Sequence, residues 1–200
     1  MRRAVLTSSV AVAIALALAV ALPAWAIPPP PATALLEQDI YGNCVVGTPY
    51  PSPLVIGQGI IFQNDLNAAH TVRQQQGFWN VSVPAGSGVQ KTVHAAGTYP
   101  VDCDAGPYNQ NIPVAITGPA STSSATFTLT WADSGEVSTW THTVQYRKGT
   151  TGSFITWKNA TTLRSATFTA QHNTTYYFRA FVTRVGLSTP YSPLKKVVVT

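Results

Sequence analysis

Two stretches decide how the chain is read: PSPLVIGQGIIFQNDLNAAHTV at Pro51–Val72 and NVSVPAGSGVQKTVHAAGTYPVDC at Asn80–Cys103. Val, Ile, Phe and Tyr recur in short runs, broken at Pro51-Ser52-Pro53, Asn64-Asp65 and Pro84-Ala85-Gly86-Ser87-Gly88. Short runs with alternating apolar residues and turn chemistry between them make strands, not helices. Strands are expected over 43–48, 54–56, 59–64, 69–73, 90–94, 97–102 and 111–116. One strand ends in Phe62-Gln63-Asn64 shortly before His70. Another runs from Gly97-Thr98-Tyr99 through Val101 into Cys103.

That order of residues resembles the cupredoxins, the family of plastocyanin and pseudoazurin. The resemblance implies a Greek-key β-sandwich over residues 34–116, with His70 and Cys103 at the places of the family's first histidine and its cysteine. A blue-copper centre needs two imidazoles, one thiolate and a weak axial Met or Gln. The second histidine is due just after the cysteine, where the chain reads Asp104-Ala105-Gly106-Pro107-Tyr108-Asn109-Gln110-Asn111. Gln110 offers only an axial oxygen, Met1 is the one methionine, and His94 precedes Cys103 instead of following it. A sandwich without a metal or other cofactor is therefore expected. Copper held by His70 and Cys103 is the alternative.

The N-terminus bears on that alternative. Met1-Arg2-Arg3, an apolar run from Val10 to Leu22 and Ala24-Trp25-Ala26 are the parts of a secretory signal peptide over residues 1–26. Residues 27–33 then form a Pro-rich extended leader, and no membrane span is expected in the mature protein. Two cysteines in a secreted, extracellular chain favour one disulfide, Cys44–Cys103. A bridge and a copper thiolate compete for the same sulfur.

Thr117-Gly118-Pro119-Ala120-Ser121-Thr122 reads as a linker, and a second set of strands follows it. These are expected over 125–131, 140–147, 153–157, 165–169, 175–183 and 194–199. Trp131 closing the first, Val144-Gln145-Tyr146-Arg147, Tyr176-Tyr177-Phe178-Arg179-Ala180 and Gly186-Leu187-Ser188 resemble a fibronectin type III domain over 117–200. The resemblance places that family's tyrosine corner on Ala170–Tyr176, with Thr174 and Tyr176 matching and Asn173 in the glycine position. The fold class is thus all-β, two consecutive sandwiches. Trp131 is expected in the core and Trp157, in an irregular stretch, on the surface.

Charge divides between the halves. Residues 27–116 carry Arg73 and Lys91 against five carboxylates, while 117–200 carry eight basic residues against Asp133 and Glu136. The basic residues are scattered, as on a solvated face. Arg179 and Arg184 near Tyr177 and Phe181 are already explained by the second resemblance, so no nucleic-acid partner is expected. No G-x-S-x-G, H-E-x-x-H, Cys-x-x-Cys or phosphate-cradling loop occurs. Asp102 and Asp104 read as a solvated strand end, and neither His142 nor His172 has a sequence neighbour that makes a relay.

The expected function is a non-enzymatic binding or adhesion module, directed at an extracellular protein or glycan. Phe78-Trp79 and Trp157 with Lys158 are the candidate contact residues; burial of the aromatic rings is the competing reading.

Overall fold

The computed structural model describes residues 29–47, 53–106 and 110–200. The stretch expected as a signal peptide, the first residues of the expected leader, and residues 48–52 and 107–109 lie outside the described residues. Described residues 29–115 hold β1 (Ala32–Gln38), β2 (Cys44–Val46), β3 (Leu54–Val55), β4 (Gly59–Asn64) and β5 (His70–Gln74), then β6 (Asn80–Val83), β7 (Ser87–Thr92), β8 (Gly97–Cys103) and β9 (Gln110–Ala115). The remainder holds β10 (Ser121–Thr122), β11 (Thr126–Thr130), β12 (Thr141–Lys148) and β13 (Ile155–Thr161), followed by β14 (Ser165–Thr169), β15 (Thr174–Arg184), β16 (Leu187–Ser188) and β17 (Lys195–Val199).

The first sandwich packs β2-β1-β4-β7 against β3-β9-β8-β5-β6. Leu36, Ile60, Phe62, Val72, Tyr99, Val101, Ile112 and Val114 fill the space between them. Their alternation with outward residues is the signal that the sequence carries. Pairing is antiparallel except for β1 with β4 and β3 with β9. Asn64, fully buried, explains part of the Phe62-Gln63-Asn64 motif structurally. Its Nδ2 donates to the carbonyls of Ala68, Val83 and Pro84, and its Oδ1 accepts from Leu66 N–H. One side chain thereby ties β4 to two loops.

The second sandwich packs β11-β14 against β10-β17-β15-β12-β13, with β16 folded back on β15. Phe168, Tyr176, Phe178, Tyr146 and Trp157 form one continuous ring cluster. Trp131 is fully buried, and its indole Nε1 donates to Leu163 O. At the corner, Gln171 N–H donates to the Tyr176 hydroxyl oxygen, and Asn173 takes the left-handed turn conformation at φ 56°. A fibronectin type III-like β arrangement is thus present here. In the first sandwich the buried Tyr99 hydroxyl instead donates, to Ala95 O at 2.8 Å.

Several expectations change. The leader's last residues belong to a strand: β1 begins at Ala32, pairs with Ile60 and buries Ala34 and Leu36. β6 and β16 were not expected, and β7 ends at Thr92, short of His94. Residues 117–122 do not behave as a free linker, because Thr117 exchanges backbone hydrogen bonds with Thr130 and β10 pairs with β17. Trp157 lies within β13, half-buried.

The two sandwiches meet along a hydrogen-bonded seam. Ala95 bridges Ala132, Ala96 N–H donates to Trp131 O, and Asp133 N–H donates to His94 O. Farther along, Thr98 N–H donates to Pro190 O and its hydroxyl to Tyr191 O. Two glycines allow this approach: a Cβ on Gly135 would stand 2.3 Å from the His94 ring, and one on Gly97 would stand 2.6 Å from Thr189 Oγ1. The seam sets the site described next.

Candidate functional site at the junction of the sandwiches

Beside the seam lies a cavity of about 110 Å³. Phe78, Trp79, Tyr99 and Lys91 line it from the first sandwich, and Glu136, Val137 and Trp140 from the loop before β12. Phe78 stands edge-on to Trp140 at 4.9 Å and to Tyr99 at 6.1 Å. Such perpendicular aromatic packing is favoured by ring quadrupoles and adds to the area buried. Phe78 therefore closes the junction and is buried, which removes it as an exposed contact residue. Trp79 is half-buried; its indole Nε1 has no hydrogen-bond partner among the described residues.

Glu136 is the unusual member. Its side chain is 2% exposed, and its Oε2 accepts from His142 Nε2 at 2.7 Å. The other carboxylate oxygen, Oε1, is buried without a partner among the described residues, as is His142 Nδ1. Leaving a buried acceptor unpaired is costly, the more so on a charged group. Burial pushes the Tyr99 phenol upward, and the Glu136 charge adds to that push. Around this pair, Arg164 Nη2 donates to the backbone oxygen of Glu136, and His94 Nδ1 bonds Asp133 at 2.8 Å. Lys91 has its ammonium pKa lowered by burial.

The residues of the copper alternative are gathered elsewhere, at the Cys103 end of β8. Cys44, His70, Cys103 and Asp104 each offer a donor atom, and all four atoms lie within 4.8 Å of one another. The two sulfurs are joined as a disulfide. His70 Nδ1 bonds Asp104 Oδ2 at 2.6 Å. One imidazole, one exposed carboxylate and two bridged sulfurs do not fit a type 1 copper set, which requires a thiolate and two imidazoles. His94 faces the junction and is paired with Asp133. Asp102, expected in solvent, is instead buried in a pair with Arg73.

Trp157 packs against Trp131, Phe168 and Phe178, with Lys158 Nζ 5.1 Å from its ring centroid. Its ring is largely committed to the core. Arg179 is held between the rings of Phe154 and Tyr191 at 3.8 and 3.7 Å and bonds Gln145, a closed structural stack. Sequence reasoning missed Glu136–His142 and His94–Asp133. The first pair crosses from a loop to a strand and the second joins the two sandwiches, so neither leaves a local motif.

No protein-family model matches the sequence, and no curated protein matches it. Among solved structures, one described as "Myokine structure" is 19% identical with a TM-score of 0.34, covering 44% of this chain and 94% of that one. The chicken CNTN1 FN1-FN3 domains are 10% identical with a TM-score of 0.35, covering 84% of this chain. The chain spans 62% of that second structure's length. Both are distant likenesses, and neither assigns a function.

Proposed function

We propose that the chain is an exported, non-enzymatic binding module that acts by contact at or outside the cell envelope, on an extracellular protein or glycan. The observation that carries this reading is the junction cavity of about 110 Å³, walled by Phe78, Trp79, Tyr99 and Trp140.

The test uses labelled chain incubated with intact cells and with immobilised extracellular glycans and proteins. Saturable retention that weakens at least about tenfold in Trp79→Ala supports a contact function centred on the cavity. Retention that is absent, or indifferent to Trp79→Ala, rejects it.

A second reading, binding of a soft ion such as copper, has the clustering of Cys44, Cys103, His70 and Asp104 in its favour. It requires the bridge to open. A free-thiol assay on protein purified from the exported fraction decides it: no free thiol ends this reading.

A further inference from the structure

We infer that the outer face of the larger sheet of the second sandwich is a second contact surface, fitted to an acidic polysaccharide of the polyuronate type. It lies apart from the junction cavity and does not depend on what the cavity holds. The basic residues are scattered in the sequence, but strand register gathers three of them. Arg147 of β12 stands directly across from Tyr177 of β15, which stands directly across from Lys196 of β17. The adjoining Tyr176, Phe178 and Val197 are buried in the core, so by the pleat this row turns outward. Arg147 and Lys196 are thus two strand spacings apart, about 10 Å. Arg179, two residues beyond Tyr177 on the same strand, adds a third cation to the face. Its guanidinium carbon and that of Arg147 lie 3.8 and 4.9 Å from the centroid of one ring, Phe154. The row sits at the end of β12 away from Trp140 and the cavity.

These charges are held together without a counter-ion. Residues 117–200 carry two side-chain carboxylates, Asp133 and Glu136, and these are paired with His94 and His142. Among the described residues, no ion pair reaches Arg147, Arg179 or Lys196. Like charges that share a ring repel, and an anion laid across them relieves the repulsion. Contact with Phe154 and Tyr177 fixes the plane of the Arg147 guanidinium. Its Nε is buried, whereas its two Nη groups are not among the buried unpaired atoms, which leaves an end-on fork of donors open to solvent. The two coplanar oxygens of a carboxylate match such a fork. Reaching Lys196 as well takes a chain on which carboxylates recur.

Two features favour a polysaccharide over other polyanions. The rings of Phe154, Tyr177 and Tyr191 already carry guanidinium groups, which compete with the base stacking that single-stranded nucleic acid needs. The backbones of β12, β15 and β17 are engaged in the sheet, so an acidic peptide finds no strand edge along this row. Sugar hydroxyls need neither, and the side chains of Thr175 and Tyr177 offer hydroxyl partners on the same face.

The experiment measures binding of the full chain to immobilised polygalacturonate at rising salt, beside neutral dextran, polyglutamate and oligo-dT. Saturable binding to polygalacturonate that weakens with salt is expected, with none to dextran. Lys196→Gln, at an exposed position, weakens it about two- to fivefold, and so does Arg147→Lys, which keeps the charge but removes the fork. Lys148→Gln removes the same charge from a residue that pairs with the inward Tyr176 and bonds Gln171, and leaves binding unchanged. Loss in Lys148→Gln equal to that in Lys196→Gln shows attraction by net charge alone and overturns the proposal. Indifference to Lys196→Gln, no saturable binding, or binding as tight to polyglutamate or oligo-dT also overturns it. Trp79→Ala leaves polygalacturonate binding unchanged, so failure here and failure of the cavity reading are told apart.

Discussion

His142 Nε2 donates to Glu136 Oε2 across 2.7 Å inside the second sandwich, and their side chains are 0% and 2% exposed. A pair so fully removed from water holds its members in place, because each is costly without the other. The loop that carries Glu136 to the junction cavity is anchored at this point.

Removing one partner should therefore be expensive. His142→Ala is expected to lower unfolding free energy by about 3–5 kcal/mol, read from urea denaturation. Replacing both, as His142→Leu with Glu136→Met, should cost far less, and a double variant as unstable as His142→Ala would contradict this.

The seam depends on close approach at glycine. Gly135→Ala places a Cβ 2.3 Å from His94 Cε1, so the ring must leave Asp133. Hydrogen–deuterium exchange should quicken at Ala96 and Asp133, whose amides donate across the seam, and stay unchanged at β4 and β9. Equal protection in wild type and variant would show that the seam is not held this way.

These contacts mark the limit of what the sequence makes legible. β4, β8, β11 and β15 show alternating burial and could be read from period two, whereas the Tyr176 corner could be placed only through the fibronectin type III resemblance. β1 could not, because it follows a proline run and takes its identity from a parallel partner, β4. Trp157, expected on the surface, is half-buried in β13, whose pairing with β12 carries register shifts at Val144 that leave no simple alternation to read. Phe78 and Trp79 were singled out by composition alone. Their use as cavity wall depends on Glu136 and Trp140, which only the folded chain brings near.

The Cys44–Cys103 bridge joins β2 to the end of β8 across 59 residues of chain. On chain-entropy grounds a loop of this length is worth about 4 kcal/mol. Cys44→Ala with Cys103→Ala should lower thermal stability accordingly, read by calorimetry, while leaving cavity binding in place at temperatures where the variant is folded.

Acid sensitivity should concentrate near this bridge. Burial pushes the Asp104 pKa up, but the His70 hydrogen bond, the Thr71 N–H and the charges of His70 and Arg73 outweigh it, so the net shift is downward from 3.8. A carboxylate whose folded pKa is depressed stabilises above its unfolded value and loses that contribution as pH falls through the folded one. Asp104→Asn should thus remove part of the stability loss seen below about pH 4 and leave the neutral side of the profile unchanged in shape.

Between β15 and β16, Val185 holds φ 46° and Gly186 φ 77° in an exposed hairpin turn. A β-branched residue is poorly suited to that region, whereas Asn-Gly is the preferred pair for such turns. Val185→Asn should raise stability by about 1 kcal/mol, measured by urea denaturation.

The claim that the cavity between the sandwiches is the binding site is tested most directly by the indole N–H resonances of the ¹⁵N-labelled chain during titration with a soluble form of the extracellular glycan or protein that retains it. Trp79 and Trp140 line the cavity, whereas Trp131 Nε1 is engaged with Leu163 O in the second core and serves as the internal reference. The account predicts saturable shifts at Trp79 and Trp140 with Trp131 unmoved. Shifts at Trp131 or Trp157 with Trp79 still, or no shift at any indole, would contradict it.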